Sequence, residues 1–135
     1  LVEGNLPCIY DPEITAYEAK RATRGFIDPL WEGVYYLTDT QTVYPMLTLT
    51  ECRTGWILRW QAYNVGQGVE NSNFQYVHIP KISLQAGGRG HRLVLQRGST
   101  MVTKYVYVYD TYMTGLAGNG QGDSRNLVLT GVFEY

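Results

Sequence analysis

The residue that most invites a chemical role is Arg59, the one cation inside the apolar run Trp56-Ile57-Leu58-Arg59-Trp60. A guanidinium in such a strand is rarely buried without a partner. Glu51, Asp110 and Glu134 are acids on neighbouring predicted strands that could serve, as could the acid group of a ligand. A stacked contact of Arg59 with tryptophan on an outer face is the competing arrangement. Tyr105, Tyr107 and Tyr109 alternate along one strand and so place three hydroxyls on one side. Tyr63 shares the Arg59 side of its own strand. Arg59, Tyr63, Tyr105, Tyr107 and Tyr109 are therefore the expected ligand-binding residues, an apolar lining with a few hydroxyls and one charge.

Other chemistry finds less support. His78 and His91 show no metal-ligand spacing with each other or with the cysteines, so neither a metal nor a cofactor is expected. The chain has no Gly-x-Ser-x-Gly elbow, phosphate-binding loop or His-Glu-x-x-His. Arg89, His91 and Arg92 cluster in the Gly-Gly-Arg-Gly-His-Arg turn, with Arg97 further along. They are either an anion site or a solvated hairpin tip. Cys8 and Cys52 are expected to pair. Such a disulfide would contribute roughly 3–4 kcal/mol in the chain-entropy picture, and two buried thiols are the alternative. The sequence starts at Leu1 without methionine. A processed chain, a removed signal peptide among the routes to it, and a secreted or extracytoplasmic setting are the accompanying expectation.

Residues 1–12 read as an irregular arm, and 13–25 as the single helix. Pro12 and Glu13 suit its first turn, Lys20, Arg21 and Arg24 its last, and Gly25 its cap. From residue 33 to 135 everything reads as β structure. The predicted strands are 33–40, 43–52, 56–63, 74–79, 81–85, 92–97, 101–111 and 126–134, separated by Gly, Asn, Asp and Pro signals. The expected fold is mainly β in a single domain. About eight antiparallel strands form an up-and-down barrel after one short N-terminal helix, with a β-sandwich as the alternative. The loop 115–125, rich in glycine, reads as the most flexible segment.

Composition narrows the function. The 135 residues carry 12 acids against 11 bases, a near-balance that speaks against a nucleic-acid binder. No apolar run is long enough for a transmembrane helix. Tyrosine outnumbers phenylalanine 12 to 3, which places aromatic side chains where a hydroxyl can stay wet or bonded.

The segment Trp31-Glu32-Gly33-Val34-Tyr35-Tyr36, preceded by Phe26-Ile27-Asp28-Pro29, resembles the opening motif of the lipocalins and the wider calycin class. Trp31 stands at the first aromatic position, Gly33 at the glycine and Tyr36 at the last aromatic. Tyr35 replaces the family's tryptophan, and the Asp-to-Gly spacing is one residue short. The resemblance implies an eight-stranded barrel holding a small, often hydrophobic molecule at its open end.

Three functions follow from these readings. The first is non-catalytic binding of a small hydrophobic or amphipathic molecule inside a barrel. The second is a protein-interaction or assembly module, with a protein partner on a tyrosine-rich surface. The third is a barrel isomerase or cyclase, using His78 or Asp110 with a tyrosine as acid and base.

Overall fold

A computed structural model of the chain describes residues 27–135. The expected arm at 1–12, the helix at 13–25 and Cys8 lie outside the described residues. Nine antiparallel strands form two sheets, one of them curled as a half-barrel, and the fold is mainly β. They are β1 (Trp31–Tyr35), β2 (Thr42–Val43), β3 (Gly55–Asn64), β4 (Gly68–Val69), β5 (Gln75–Pro80), β6 (Gly90–Arg97), β7 (Thr100–Val108), β8 (Met113–Gly115) and β9 (Leu127–Glu134).

The first sheet runs β1-β9-β3, with β5 and β4 both pairing to β3; the second runs β2-β8-β7-β6. In the second sheet β8, β7 and β6 are consecutive neighbours, while β2 pairs with β8 across most of the sequence. In the first, the C-terminal strand β9 inserts between β1 and β3. At one corner, the Gln75 side chain continues the ladder between the sheets. Its Nε2 donates to the Gln96 carbonyl at 2.6 Å and its Oε1 accepts from the Gln96 N–H at 3.0 Å. A side-chain amide thus satisfies a peptide group that an edge would leave open.

Strand alternation explains the core. Trp56, Leu58, Trp60 and Ala62 on β3 face Val102, Val106 and Val108 of β7, and all are buried. Leu127, Leu129 and Val132 of β9 complete the packed interior between the sheets. The tyrosines at 105 and 107 stand on the opposite side of β7, half-exposed.

Several strand boundaries differ from expectation. Lys81–Ala86 is a 3₁₀ turn rather than a strand, closed by Gly87 in the left-handed region at φ 64°. The expected strand 43–52 is only Thr42–Val43, because Glu51 accepts the Thr48 N–H at 2.9 Å and locks residues 48–52 into a turn. The expected strand 101–111 ends at Val108, and the chain reverses to form β8. The 115–125 loop holds two 3₁₀ turns, at Ala117–Gly120 and Gly122–Asn126, pinned to the sheets by Asn119 and Ser124.

Candidate functional site

The outer face of the first sheet carries a groove of about 450 Å³. Its registry follows from the pairing of β3. Ile57 lies beside His78 of β5 and Phe133 of β9, while Arg59 lies beside Tyr76 and Gly131. Ile27, Ile57, Tyr76, Phe133 and Tyr135 give the groove an apolar and aromatic wall around Arg59, with Glu134 at one end. His78 meets Tyr135 edge-on at 4.6 Å and braces the rim. Burial pushes the Tyr135 hydroxyl above its ordinary pKa, so it stays protonated at neutral pH and can donate.

A β-bulge sets the position of Arg59. Arg59 pairs with Gly131 and Trp60 with Leu129, leaving Thr130 as the extra residue on β9. The Thr130 hydroxyl accepts from Arg59 Nε at 3.0 Å and contacts Gln61 Oε1 at 2.6 Å. Arg59 Nη2 donates to the Thr130 carbonyl at 3.4 Å, and the guanidinium lies 5.1 Å from the centre of the Phe133 ring. Gly131 forms the floor, where an added Cβ would fall 2.8 Å from the Phe133 ring and 3.1 Å from Arg59 Nη2.

The acids expected to pair with Arg59 are occupied elsewhere. Asp110 accepts from Thr50, Glu134 accepts from the Arg53 N–H, and Glu51 caps the turn at Thr48. Glu32 of β1 approaches instead, at 3.8 Å. The aromatic ring beside Arg59 is Phe133 rather than a tryptophan, because the bulge rotates Phe133 out of the face it would hold in a regular strand.

The other expected site residues lie elsewhere. Tyr63, near the far end of β3, meets the Tyr36 ring edge-on at 5.4 Å, and its carbonyl accepts from Arg97 Nη1 at 2.7 Å. Tyr105 and Tyr107 pair edge to face at 5.5 Å on the outer face of the second sheet. Tyr109 stacks on Tyr112 at 4.4 Å, and Tyr112 in turn meets Tyr44 at 5.6 Å. Gly88 and Gly90 leave room for the rings of Tyr109 and Tyr105 to lie against the turn. The structure therefore does not bring Arg59 together with Tyr63, Tyr105, Tyr107 or Tyr109 in the groove. Cys52 is buried in the 48–52 turn. His91 is remote from the groove, on β6.

The basic cluster also divides. Arg97 is a structural clamp whose Nη2 donates to Asn64 Oδ1 at 2.8 Å and to Glu70 Oε2 at 3.3 Å. Hydrogen bonds from Asn64 and then Ser72, with the Arg97 charge adding to them, hold the Glu70 carboxyl below its ordinary value. The folded value is the lower one, so this corner stabilises the fold above the ordinary glutamate pKa and loses that effect as pH falls through the folded value. Glu70→Gln is expected to flatten the acid limb of a urea-midpoint pH series. An acid limb identical to that of the parent chain would contradict this.

Lys104 is the functional-looking residue that the sequence reading passed over. It lies on the inward side of β7 among Val102, Val106 and Val108, fully buried. Its Nζ donates to the carbonyls of Tyr36 at 3.3 Å, Asn119 at 3.0 Å and Ser124 at 2.6 Å, and it lies 5.5 and 5.4 Å from the rings of Tyr36 and Trp60. Burial lowers its pKa to about 7. The signal was available: one lysine among Val102, Val106 and Val108 on a single strand face.

Comparison with protein-family models, curated proteins and solved structures returns no match. Among the described residues, no helix is long and apolar enough to cross a membrane.

Proposed function

We propose that this chain is a non-catalytic recognition domain that binds a small, partly hydrophobic molecule in the groove around Arg59. The observation that carries the reading is the groove itself. About 450 Å³ walled by Ile27, Ile57, Tyr76, Phe133 and Tyr135 suits a ligand of drug-like size, with one cation for orientation. The ligand lies on the outer face of the first sheet in this reading, because the side chains of Trp56, Trp60 and their neighbours occupy the space between the sheets.

The tyrosine cluster favours a second reading, a protein-interaction surface on the opposite sheet. Tyr44 is 66% exposed there, beside the Tyr109–Tyr112 stack. A matched pair of substitutions separates the two, since Tyr76 is 57% exposed and Tyr44 66%, and neither supports the core. Titration with a fluorescent hydrophobic dye is expected to be weakened about tenfold by Tyr76→Ser and left unchanged by Tyr44→Ser. Dye binding that tracks Tyr44, or that is absent altogether, would remove the groove reading.

The Cys8–Cys52 pairing and an extracytoplasmic setting belong to the same proposal. The chain isolated without reductant is expected to be lighter by two hydrogens than its reduced form in intact-mass measurement. Equal masses would exclude the pairing.

A further inference from the structure

We infer that the groove selects a free organic monocarboxylic acid, its apolar or aromatic body lying along Ile57, Phe133 and Tyr76 and its carboxylate on Arg59. This rests on the groove reading above and adds the chemical class of the ligand.

A guanidinium has five N–H groups. Nε is committed to the Thr130 hydroxyl and Nη2 to the Thr130 carbonyl, while Nη1 has no hydrogen-bond partner among the described residues. The side chain is only 23% exposed, so water reaches those remaining N–H groups over a small part of its surface. A cation in this state favours an anion able to accept from Nη1, and a ligand oxygen there makes a charge-assisted bond.

Glu32 then reads as a placeholder. Its carboxylate is 3.8 Å from Arg59 Nη2, beyond hydrogen-bond distance, and its side chain is 64% exposed. An exposed carboxylate at that distance gains little from the pair. A ligand carboxylate seated closer, with its apolar body in the groove, can displace it. Glu134 is not free to compete, because it already accepts the Arg53 N–H at 2.9 Å.

The charge balance selects a monoanion. Glu32 stands 3.8 Å from the one guanidinium and Glu134 is among the groove residues, which disfavours a doubly charged phosphate more than a singly charged carboxylate. The rigid seat favours planar recognition too. Thr130, the Phe133 ring and the Gly131 floor hold the guanidinium plane in place before a ligand arrives.

The test uses the full chain and a pair of probes that differ only in the head group, 4-phenylbutanoate and 4-phenylbutan-1-ol, each titrated at neutral pH and low salt. The acid is expected to bind about tenfold more tightly than the alcohol. Arg59→Gln is expected to erase that preference, so that acid and alcohol bind alike in the variant. Glu32→Gln, at an exposed position that does not support the core, is expected to tighten acid binding about threefold and leave the alcohol unchanged.

Equal binding of acid and alcohol by the parent chain would overturn the carboxylate assignment and leave the groove as a hydrophobic site. An unchanged acid affinity in Glu32→Gln would overturn the placeholder role. Binding of neither probe would overturn the groove reading itself. Sedimentation in the same buffers covers the remaining occupant: a dimer that 4-phenylbutanoate dissociates would assign the groove to a second copy of the chain and overturn the small-acid assignment.

Discussion

Lys104→Ala is expected to destabilise the fold by about 3–5 kcal/mol, through loss of a long buried side chain and of the donors to three carbonyls. An ammonium has three N–H donors, and the carbonyls of Tyr36, Asn119 and Ser124 are three acceptors, so charge state and partner count match. Tyr36 follows β1, and Asn119 and Ser124 belong to the two 3₁₀ turns, so one side chain ties the end of the first strand to the 116–126 loop. Lys104→Met fills the same space without the donors and is expected to cost less than half as much. In both variants, amide exchange in 116–126 should accelerate ahead of exchange in β3 and β9. Denaturant unfolding supplies the numbers, and a loss below about 1 kcal/mol for Lys104→Ala would show that the tripod is incidental.

The same residue gives a pH signature of definite sign. Burial lowers the folded-state pKa from 10.5 to about 7. Below about 7 both folded and unfolded chains hold the proton, and the fold bears the full desolvation cost. Between about 7 and 10.5 only the unfolded chain holds it, so this group makes stability rise with pH across that window. Lys104→Met removes the group, and the difference between the two stability profiles should slope in that window and be flat below it. A flat difference throughout would mean that the folded lysine titrates as an ordinary one.

What the sequence showed and what it concealed divide along a physical line. Alternation in 56–63 and 101–111 separated the two faces of each strand, because the side-chain period of two is local to a strand. It left open which face is buried: Arg59, Tyr105 and Tyr107, expected to line a barrel interior, stand on outer faces. The antiparallel, mainly β architecture followed from turn signals and the lack of helical crossovers. The insertion of β9 between β1 and β3 was not legible, since it depends on contacts across most of the chain. Within β9, one bulge at Thr130 moved Phe133 to the outer face and Val132 to the core. Regular alternation through 127–135 would instead put Phe133 on the side of Leu127 and Leu129. Arg59 was singled out as a cation in need of a partner. Its partners were not, because Thr130 and Glu32 reach it only through the bulge and the β1–β9 pairing. Five of the tyrosines, Tyr44, Tyr105, Tyr107, Tyr109 and Tyr112, resolved into ring contacts on the far sheet, where Gly88 and Gly90 admit the rings of Tyr109 and Tyr105.

Gly115→Ala is expected to be the most damaging single-methyl change in the described chain, costing more than about 3 kcal/mol or preventing accumulation of folded protein. A Cβ at Gly115 would fall 1.8 Å from the Leu37 carbonyl oxygen and 2.7 Å from Asn119 Nδ2. Neither neighbour can give way cheaply. Leu37 is fully buried and already holds φ at 68°, a left-handed conformation unfavourable for leucine. It keeps that geometry because its N–H donates to Gln41 Oε1 at 2.8 Å and its carbonyl accepts from Asn119 Nδ2 at 2.7 Å. Asn119 is also bonded to both peptide groups of Tyr105, so moving its amide would release the loop from β7. The methyl therefore acts on a closed set of hydrogen bonds between the turn after β1, the end of β8 and the loop that Lys104 anchors. Gly118→Ala, three residues away in the same loop, is the matched control. A Cβ there meets nothing within 4 Å and the φ is not positive, so its effect should stay within about 0.5 kcal/mol. Thermal unfolding of the pair decides the matter: comparable losses at 115 and 118 would place the sensitivity in the loop's backbone entropy, whereas a loss confined to 115 places it in the contact with Leu37.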